Sequence, residues 1–442
     1  MTQATFHFPK GFLWGTATAA HQVEGNNTNN NWYAWEQIPG KIINEHKSGL
    51  ACDWWNGRWR EDFQRAAEAG QNAHRLSVEW SRIQPAPNRW DEDALDRYLE
   101  MVRNLNELNI TPMVTLHHFT TPLWLEEMGG WENEAFAGYF ETFTRRVVQV
   151  LKDNVSLWCT LNEPNGNAVL AYLAGLWPPG KKDFEAMFRA VVNMVKAHAA
   201  AYHAIHTIQP QALVGMAINY RSLVPARPWF PPDQWMADLF ARALNTTFPL
   251  AAQKGVVQLA YKRQRIPQAR GTQDYIGFNY YTRDYVAFDL RKPGELFARR
   301  FFRPEAEKSF SGFLANEPEG MLEGLNWCLR FKVPIYITEN GVDDADDHLR
   351  PRYLAEHLHQ VWRGVNNNLP IKGYFHWSLV DNFEWERGWT QRFGLWKLDE
   401  ETQTRTRRPS VDFYEEICRE NGLSANMVAR YAPEAFAAIF PN

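Results

Sequence analysis

Eight short runs of apolar and β-branched residues recur along this chain, each followed by enough sequence for a helix and a connecting loop. They are Phe12–Thr16, Asn72–Ser77, Pro112–Leu116, Leu157–Thr160, Leu213–Ala217, Tyr275–Phe278, Ile335–Thr338 and Gly373–Trp377. Strands that alternate with helical periods predict parallel sheets or barrels. The helices are legible too. Between Glu134 and Leu151, Phe136, Phe140, Phe143, Val147 and Val150 fall on one face of a 3.6-residue period, and Leu95, Leu99, Val102 and Leu105 do the same ahead of Ile110. Eight such units predict an α/β fold, a (β/α)8 TIM barrel with its functional groups at the C-terminal ends of the strands. No Gly/Ser- or Pro-rich linker and no shift in composition divides the 442 residues, so 1–442 read as a single barrel domain. The units are longer than a minimal barrel needs. The excess is expected in long loops over the C-terminal face, and Pro225–Pro232, rich in Pro and aromatic residues, reads as one of them.

Composition excludes several partners. Lys plus Arg number 47 against 51 Asp plus Glu, a net charge of −4, so the basic excess that nucleic acid or an anionic membrane would call for is missing. No apolar run reaches the roughly 18 residues of a bilayer span, and Met1–Lys10 has no charged segment leading into an apolar stretch, so a cytoplasmic protein is expected. Cys52, Cys159, Cys328 and Cys418 are scattered without CxxC spacing and read as reduced and structural. Aromatic residues make up 14% of the chain, with 20 tryptophans. Core packing should absorb most of them, leaving several indole faces to stack on the C–H faces of sugar rings.

Two glutamates stand where barrel strands stop: Glu163 in Thr160-Leu161-Asn162-Glu163-Pro164, and Glu339 in Ile337-Thr338-Glu339-Asn340-Gly341. Either alone reads as a loop cap or an ion-pair partner. Together they match glycoside hydrolysis, which needs one carboxylic acid to protonate the departing oxygen and a second carboxylate across the anomeric carbon, as nucleophile or as base toward water. Strands four and seven of an eight-stranded barrel place such residues across the mouth from each other.

The two runs resemble the TLNEP and ITENG signatures of the family-one glycoside hydrolases, the retaining β-glucosidases and their relatives. Phe12–Gly25, FLWGTATAAHQVEG, resembles the amino-terminal signature of that family, and the resemblance runs from about Phe12 to about Arg408. It implies that Glu163 is the general acid and base and Glu339 the nucleophile, the latter held by Arg75 and Tyr281. It assigns Gln22, His118, Asn162 and Glu384 to sugar hydroxyls, Trp385 beside them, Trp377 as the platform under the ring and Asn279 near the reacting sugar. His117 and His118 are neighbours that face opposite ways on a strand, and His118, which precedes Phe119, is the one expected to face the site.

The resemblance also bears on substrate. Relatives acting on phosphorylated disaccharides carry Ser, Lys and Tyr in the loop that here reads Asp381-Asn382-Phe383-Glu384-Trp385, and an ionised Glu384 would repel a 6-phosphate. The thioglucosidase branch replaces the acid with Gln, whereas this chain keeps Glu163. A free β-glucoside or short oligosaccharide is therefore expected, with tolerance for β-galactosides or β-fucosides. Two departures stand out: Phe119 and Leu314 occupy positions where many members have Trp. No cofactor and no metal is implied. Asp343, Asp344, Asp346 and Asp347 lack the spacing of a calcium loop and read as a solvated loop. His357 and His359, two apart, point to different faces of a helix. The competing readings are an enzyme that mainly transfers glycosyl groups and a sugar-binding barrel without turnover. Oligomeric state stays open.

Overall fold

The computed structural model describes residues 4–441. Eight parallel strands close into a barrel: β1 (Leu13–Ala17), β2 (Ala73–Ser77), β3 (Thr111–His117), β4 (Leu157–Asn162), β5 (Leu213–Asn219), β6 (Tyr275–Asn279), β7 (Ile335–Asn340) and β8 (Ile371–Trp377), with β8 paired to β1. All eight sequence runs are strands. Every pairing is parallel, and helices make the crossovers. Phe136–Leu151 is the expected helix and buries Phe136, Phe140, Phe143 and Val147. The buried stripe ends on Leu151 rather than Val150, which is half-buried. Glu92–Glu107 starts where Asp91 caps the backbone N–H of Ala94 at 2.9 Å, and its buried stripe includes Leu95, Val102 and Leu105.

Five strands, β3 to β7, run past their expected ends on to a polar last residue that still pairs. Asn162 closes β4, Asn279 closes β6 and Asn340 closes β7, and the register of each strand shifts at that residue. Irregular pairing of this kind re-aims side chains at barrel rims.

Two expectations need correction. Some of the extra length is folded rather than looped: Ser222–Pro225, Arg283–Phe288 and Ala298–Phe301 form a three-stranded sheet packed against the helix Pro231–Ala241. Pro225–Pro232 is thus a loop only in its middle. The aspartate run is not solvated either, since Asp343, Asp344 and Asp347 are all buried. Asp344 accepts from the backbone N–H of Leu349 and Arg350, and Asp347 pairs with buried Arg350 and accepts from Ser410. Burial of those charges is offset by donors from the following helix turn and, for Asp347, by Ser410 far along the chain.

All four cysteines are free and buried. Of the 20 tryptophans, Trp14, Trp32, Trp54, Trp59, Trp80 and Trp158 are among the largest fully buried side chains. Among the described residues, no helix is long and apolar enough to cross a membrane.

Candidate active site

The C-terminal ends of the strands and the loops after them bring the eleven expected residues into one cluster, in which hydrogen bonds join Arg75, Glu339, Tyr281, Asn162, His118, Asn279 and Glu163, while Trp377, Trp385, Glu384 and Gln22 adjoin through ring stacking and the loop that follows β8. Its centre is Arg75, on β2 and 1% exposed. One guanidinium nitrogen donates to Glu339 Oε1 at 2.5 Å, another to Asn162 Oδ1 at 2.6 Å, and Nε to Thr115 Oγ1 at 3.1 Å. The other oxygen of Glu339 accepts from the Tyr281 hydroxyl at 2.8 Å. Glu339 lies on β7, whose end is anchored by Asn340: its amide donates to Tyr280 O and the Tyr353 hydroxyl and accepts from the Tyr374 hydroxyl. Gly341 follows because β8 passes close by. A Cβ there would sit 1.9 Å from Trp377 O.

Glu163 leaves β4 with φ 42°, a left-handed conformation, and Pro164 opens the helix Pro164–Tyr172. Its backbone N–H donates to Ala217 O on β5 at 2.8 Å. Its carboxyl is held by neutral amides: Asn279 Nδ2 donates to Oε1 at 2.9 Å and Asn219 Nδ2 to Oε2 at 2.8 Å. Asn279 is fixed in turn by the Thr338 hydroxyl, which donates to its Oδ1 at 2.6 Å.

The two carboxyls therefore keep different company. Burial, and next the negative charge of Glu339, push Glu163 up to about 7; the Asn279 and Asn219 amides and Arg75 only partly oppose this. Burial raises Glu339 as well, but it is opposed by the adjacent guanidinium and the Tyr281 hydroxyl. A cation at 2.5 Å favours the charged form far more than neutral amides do.

Hydrogen-bond logic fixes what the polar side chains can offer a ligand. Asn162 Oδ1 faces the donor Arg75, so its Nδ2 faces His118 Nε2, at 3.0 Å. Burial, then the charge of Arg75, hold the imidazole neutral, with its pKa well below the usual value. Nε2 accepts, so the proton is on Nδ1, which is buried and without a partner. Gln22 spends its amide N–H groups on Asn382 Oδ1 and Phe383 O, leaving a buried, unpaired Oε1. One donor and one acceptor are thus both unfilled. Glu384 accepts from Trp377 Nε1 at 2.9 Å, and burial pushes it up to about 8. Burial thus works against the negative charge expected at this position from sequence, and donors beyond Trp377 would favour it.

His118 lies flat against the rings of Trp377 and Trp385, each centroid 6.0 Å away, while His117 faces outward against Trp131 and Phe140. Trp385 is backed by His21, Trp32 and Phe119. Leu314 is buried in the same apolar cluster as Trp377 and Phe393, and Phe313 beside it is exposed under Arg387, 4.6 Å from its ring centroid. His357 is buried against Asn340 and His359 turns to Phe6 and Trp362. Sequence reasoning missed Asn219, Asn382 and Thr338. The available signal for Asn219 was its place as the polar residue just beyond the fifth apolar run, level with Asn279 on the neighbouring strand.

Comparison with known proteins agrees with this arrangement. Residues 4–423 match the profile of Glycosyl hydrolase family 1. Beta-glucosidase A of Thermotoga maritima is 33% identical over 94% of this chain and 98% of its own length. The beta-glycosidase from Pyrococcus horikoshii superposes with a TM-score of 0.91 at 36% identity, covering 97% of this chain and 98% of that one. A Thermotoga maritima beta-glucosidase in complex with deoxynojirimycin gives 0.88 at 32%, covering 94% and 99%. A match spanning nearly the whole polypeptide, in sequence and in backbone, leaves one assignment: the chain belongs to glycosyl hydrolase family 1 and is a glycoside hydrolase.

Proposed function

We propose that this protein is a retaining β-glucosidase that removes a terminal non-reducing β-D-glucosyl residue from a small glycoside or short oligosaccharide. The observation that carries the reading is the pair of carboxyls joined by one short hydrogen-bond network. Arg75 donates to Glu339 and to Asn162 Oδ1, and Asn279 donates to that same oxygen and to Glu163. One carboxyl held by a cation and the other by neutral amides supports the division into nucleophile and acid that retention needs.

In the first step Glu339 attacks the anomeric carbon while Glu163 gives its proton to the departing oxygen, leaving a glycosyl ester on Glu339 and a free alcohol. In the second, Glu163 takes a proton from water as the water oxygen displaces the ester. Arg75 and Tyr281 hold Glu339 ionised and aimed. Once the ester forms, the Glu339 charge that raises the Glu163 pKa is gone, and Glu163 is left ionised for its second task. A neutral hydroxyl both donates and accepts, which Gln22 Oε1 and the His118 Nδ1–H together satisfy. Asn162 and Glu384 take further hydroxyls, with Trp377 beneath the ring and Trp385 beside it. Hydrolysis of an aryl β-glucoside followed by NMR tests the reading. The first-formed sugar should be β-glucose. An α-anomer formed first would overturn retention, and glucose binding without turnover would favour a sugar-binding barrel. Aryl glycosides differing at the 4- and 6-positions then test the tolerance for β-galactosides and β-fucosides.

The pH profile follows from the same groups. Glu163 must be protonated to act as acid, so kcat/KM should fall as pH rises through about 7. Glu339 must be ionised and its pKa is raised, so the acid limb should lie above the ordinary carboxylate value. In Glu163→Gln the alkaline limb should vanish on substrates with activated leaving groups. An alkaline limb that stays in place would show that another group sets it.

A further inference from the structure

We propose that Asn219, at the end of β5, is a positioning residue for the acid/base: its amide fixes the Glu163 carboxyl and favours the ionised form that the second half-reaction requires. The inference rests on the acid/base role given to Glu163 above.

The geometry separates Asn219 from Asn279, the other amide on that carboxyl. Asn279 is shared. Its Nδ2 lies 2.9 Å from Glu163 Oε1 and 3.3 Å from Asn162 Oδ1, it favours ionised Glu339, and its Oδ1 is held by Thr338. Its Nδ2 is therefore divided between Glu163 and Asn162. Among the described residues, Asn219 Nδ2 has a single side-chain partner, Glu163 Oε2, at 2.8 Å. Its backbone is clamped as well: Asn165, the second residue of the helix that Glu163 caps, accepts from Asn219 N at 3.2 Å and donates to Asn219 O at 2.7 Å. One helix thus carries both Glu163 at its start and the amide that locks its partner. Gly166 packs directly beside the contact: a Cβ there would lie 3.5 Å from Glu163 Oε2 and 3.7 Å from Asn219 Nδ2.

The function of such a donor follows from the two demands on Glu163. As acid it needs a proton near neutral pH, which burial and the charge of Glu339 supply. As base it must be ionised once that charge is gone, although it remains buried. A dedicated neutral donor on the oxygen farther from Asn279 favours the ionised form in both steps without adding a charge that would cost the first step its proton. It also holds the carboxyl plane against rotation, on a residue whose backbone is itself left-handed.

The test is Asn219→Ala, read by pH profile and leaving-group dependence. Loss of the donor should raise the Glu163 pKa, moving the alkaline limb of kcat/KM upward by about one pH unit, as removal of one hydrogen bond to a charged group would. On a dinitrophenyl β-glucoside, where breakdown of the ester limits turnover, kcat near pH 6 should fall by about tenfold or more while KM falls with it, because the glycosyl-enzyme accumulates. Asn219→Asp, nearly isosteric, should move the limb further up, since a carboxylate would face Glu163. A merely structural role would lower kcat on all substrates alike and leave the limb in place, and that result overturns the proposal. If either variant folds poorly, 13C NMR titration of labelled glutamate carboxyls in the other reads the Glu163 pKa directly. An unchanged value there also overturns it. Because that titration needs no turnover, it separates failure of this inference from failure of the glucosidase reading.

Discussion

Glu339→Ala should lower kcat/KM for an aryl β-glucoside on the order of 10⁵-fold or more, the scale on which loss of an essential nucleophile acts. Azide should then restore turnover and yield α-glucosyl azide. The reason lies in what the substitution leaves behind. Arg75 Nη1 and the Tyr281 hydroxyl, which now hold the carboxylate at 2.5 and 2.8 Å, would face a space shaped for a small anion. Azide carries one negative charge and would enter from the side Glu339 occupied, opposite the leaving group, so a single displacement inverts the anomeric carbon. Stability should respond in parallel. Breaking a buried ion pair by removing one partner costs about 3–5 kcal/mol, because the other charge stays buried. Azide should therefore raise the melting temperature of Glu339→Ala and leave that of the parent protein unmoved. A folded variant that azide fails to rescue on an activated substrate, or one that makes the β-azide, would remove Glu339 from the nucleophile role.

The parts of this site that could be read from the sequence, and the parts that could not, divide along one physical line. Each barrel strand is an apolar run, because parallel strands buried on both faces select for apolar residues, and so all eight were visible. The true ends of six were not, although Ser77 and Trp377 close β2 and β8 where the sequence put them. His117, Asn162, Asn219, Asn279 and Asn340 are polar, and pattern reading stops at a polar residue, yet all five belong to strands. The residues that break the pattern are largely those that build the cluster. Glu163 and Glu339 were legible because each sits in a long motif, whereas Asn219 follows Ile218 with no motif around it. The aspartate run misled because composition alone says solvent. Its partner Ser410 lies 63 residues beyond Asp347, a contact no local pattern encodes. The three-stranded sheet escaped for the same reason: Ser222–Pro225 pairs with Arg283–Phe288 across a long separation, and each strand is too short to show a period. Phe119 and Leu314 were read as departures at positions where many family members have Trp, and both are buried, Phe119 against Trp385 and Leu314 in the cluster with Trp377.

Glu163→Ala should separate substrates by leaving group in a way that no other substitution in the cluster would. For an alkyl glucoside, whose departing oxygen needs a proton, kcat/KM should fall by about 10²–10⁴-fold, the range of general acid catalysis. For a dinitrophenyl glucoside the first step needs no proton and should keep its rate within about tenfold. The second step still lacks its base, so a burst of dinitrophenolate should precede a slow steady state. Azide, an anion that needs no deprotonation, should speed that steady state and give β-glucosyl azide, because Glu339 is intact and two displacements occur. Opposite product configurations from the two alanine variants would place the two carboxyls on opposite faces of the sugar. The structural cost should differ as well. Asn279 and Asn219 are neutral amides, so loss of their acceptor costs about 1–3 kcal/mol and not the penalty of a stranded charge. Azide should accordingly stabilise Glu163→Ala much less than Glu339→Ala. Equal losses on both leaving groups, or an α-azide product, would mean that the proton comes from elsewhere, and Glu384, which burial pushes up to about 8, would be the next group to test.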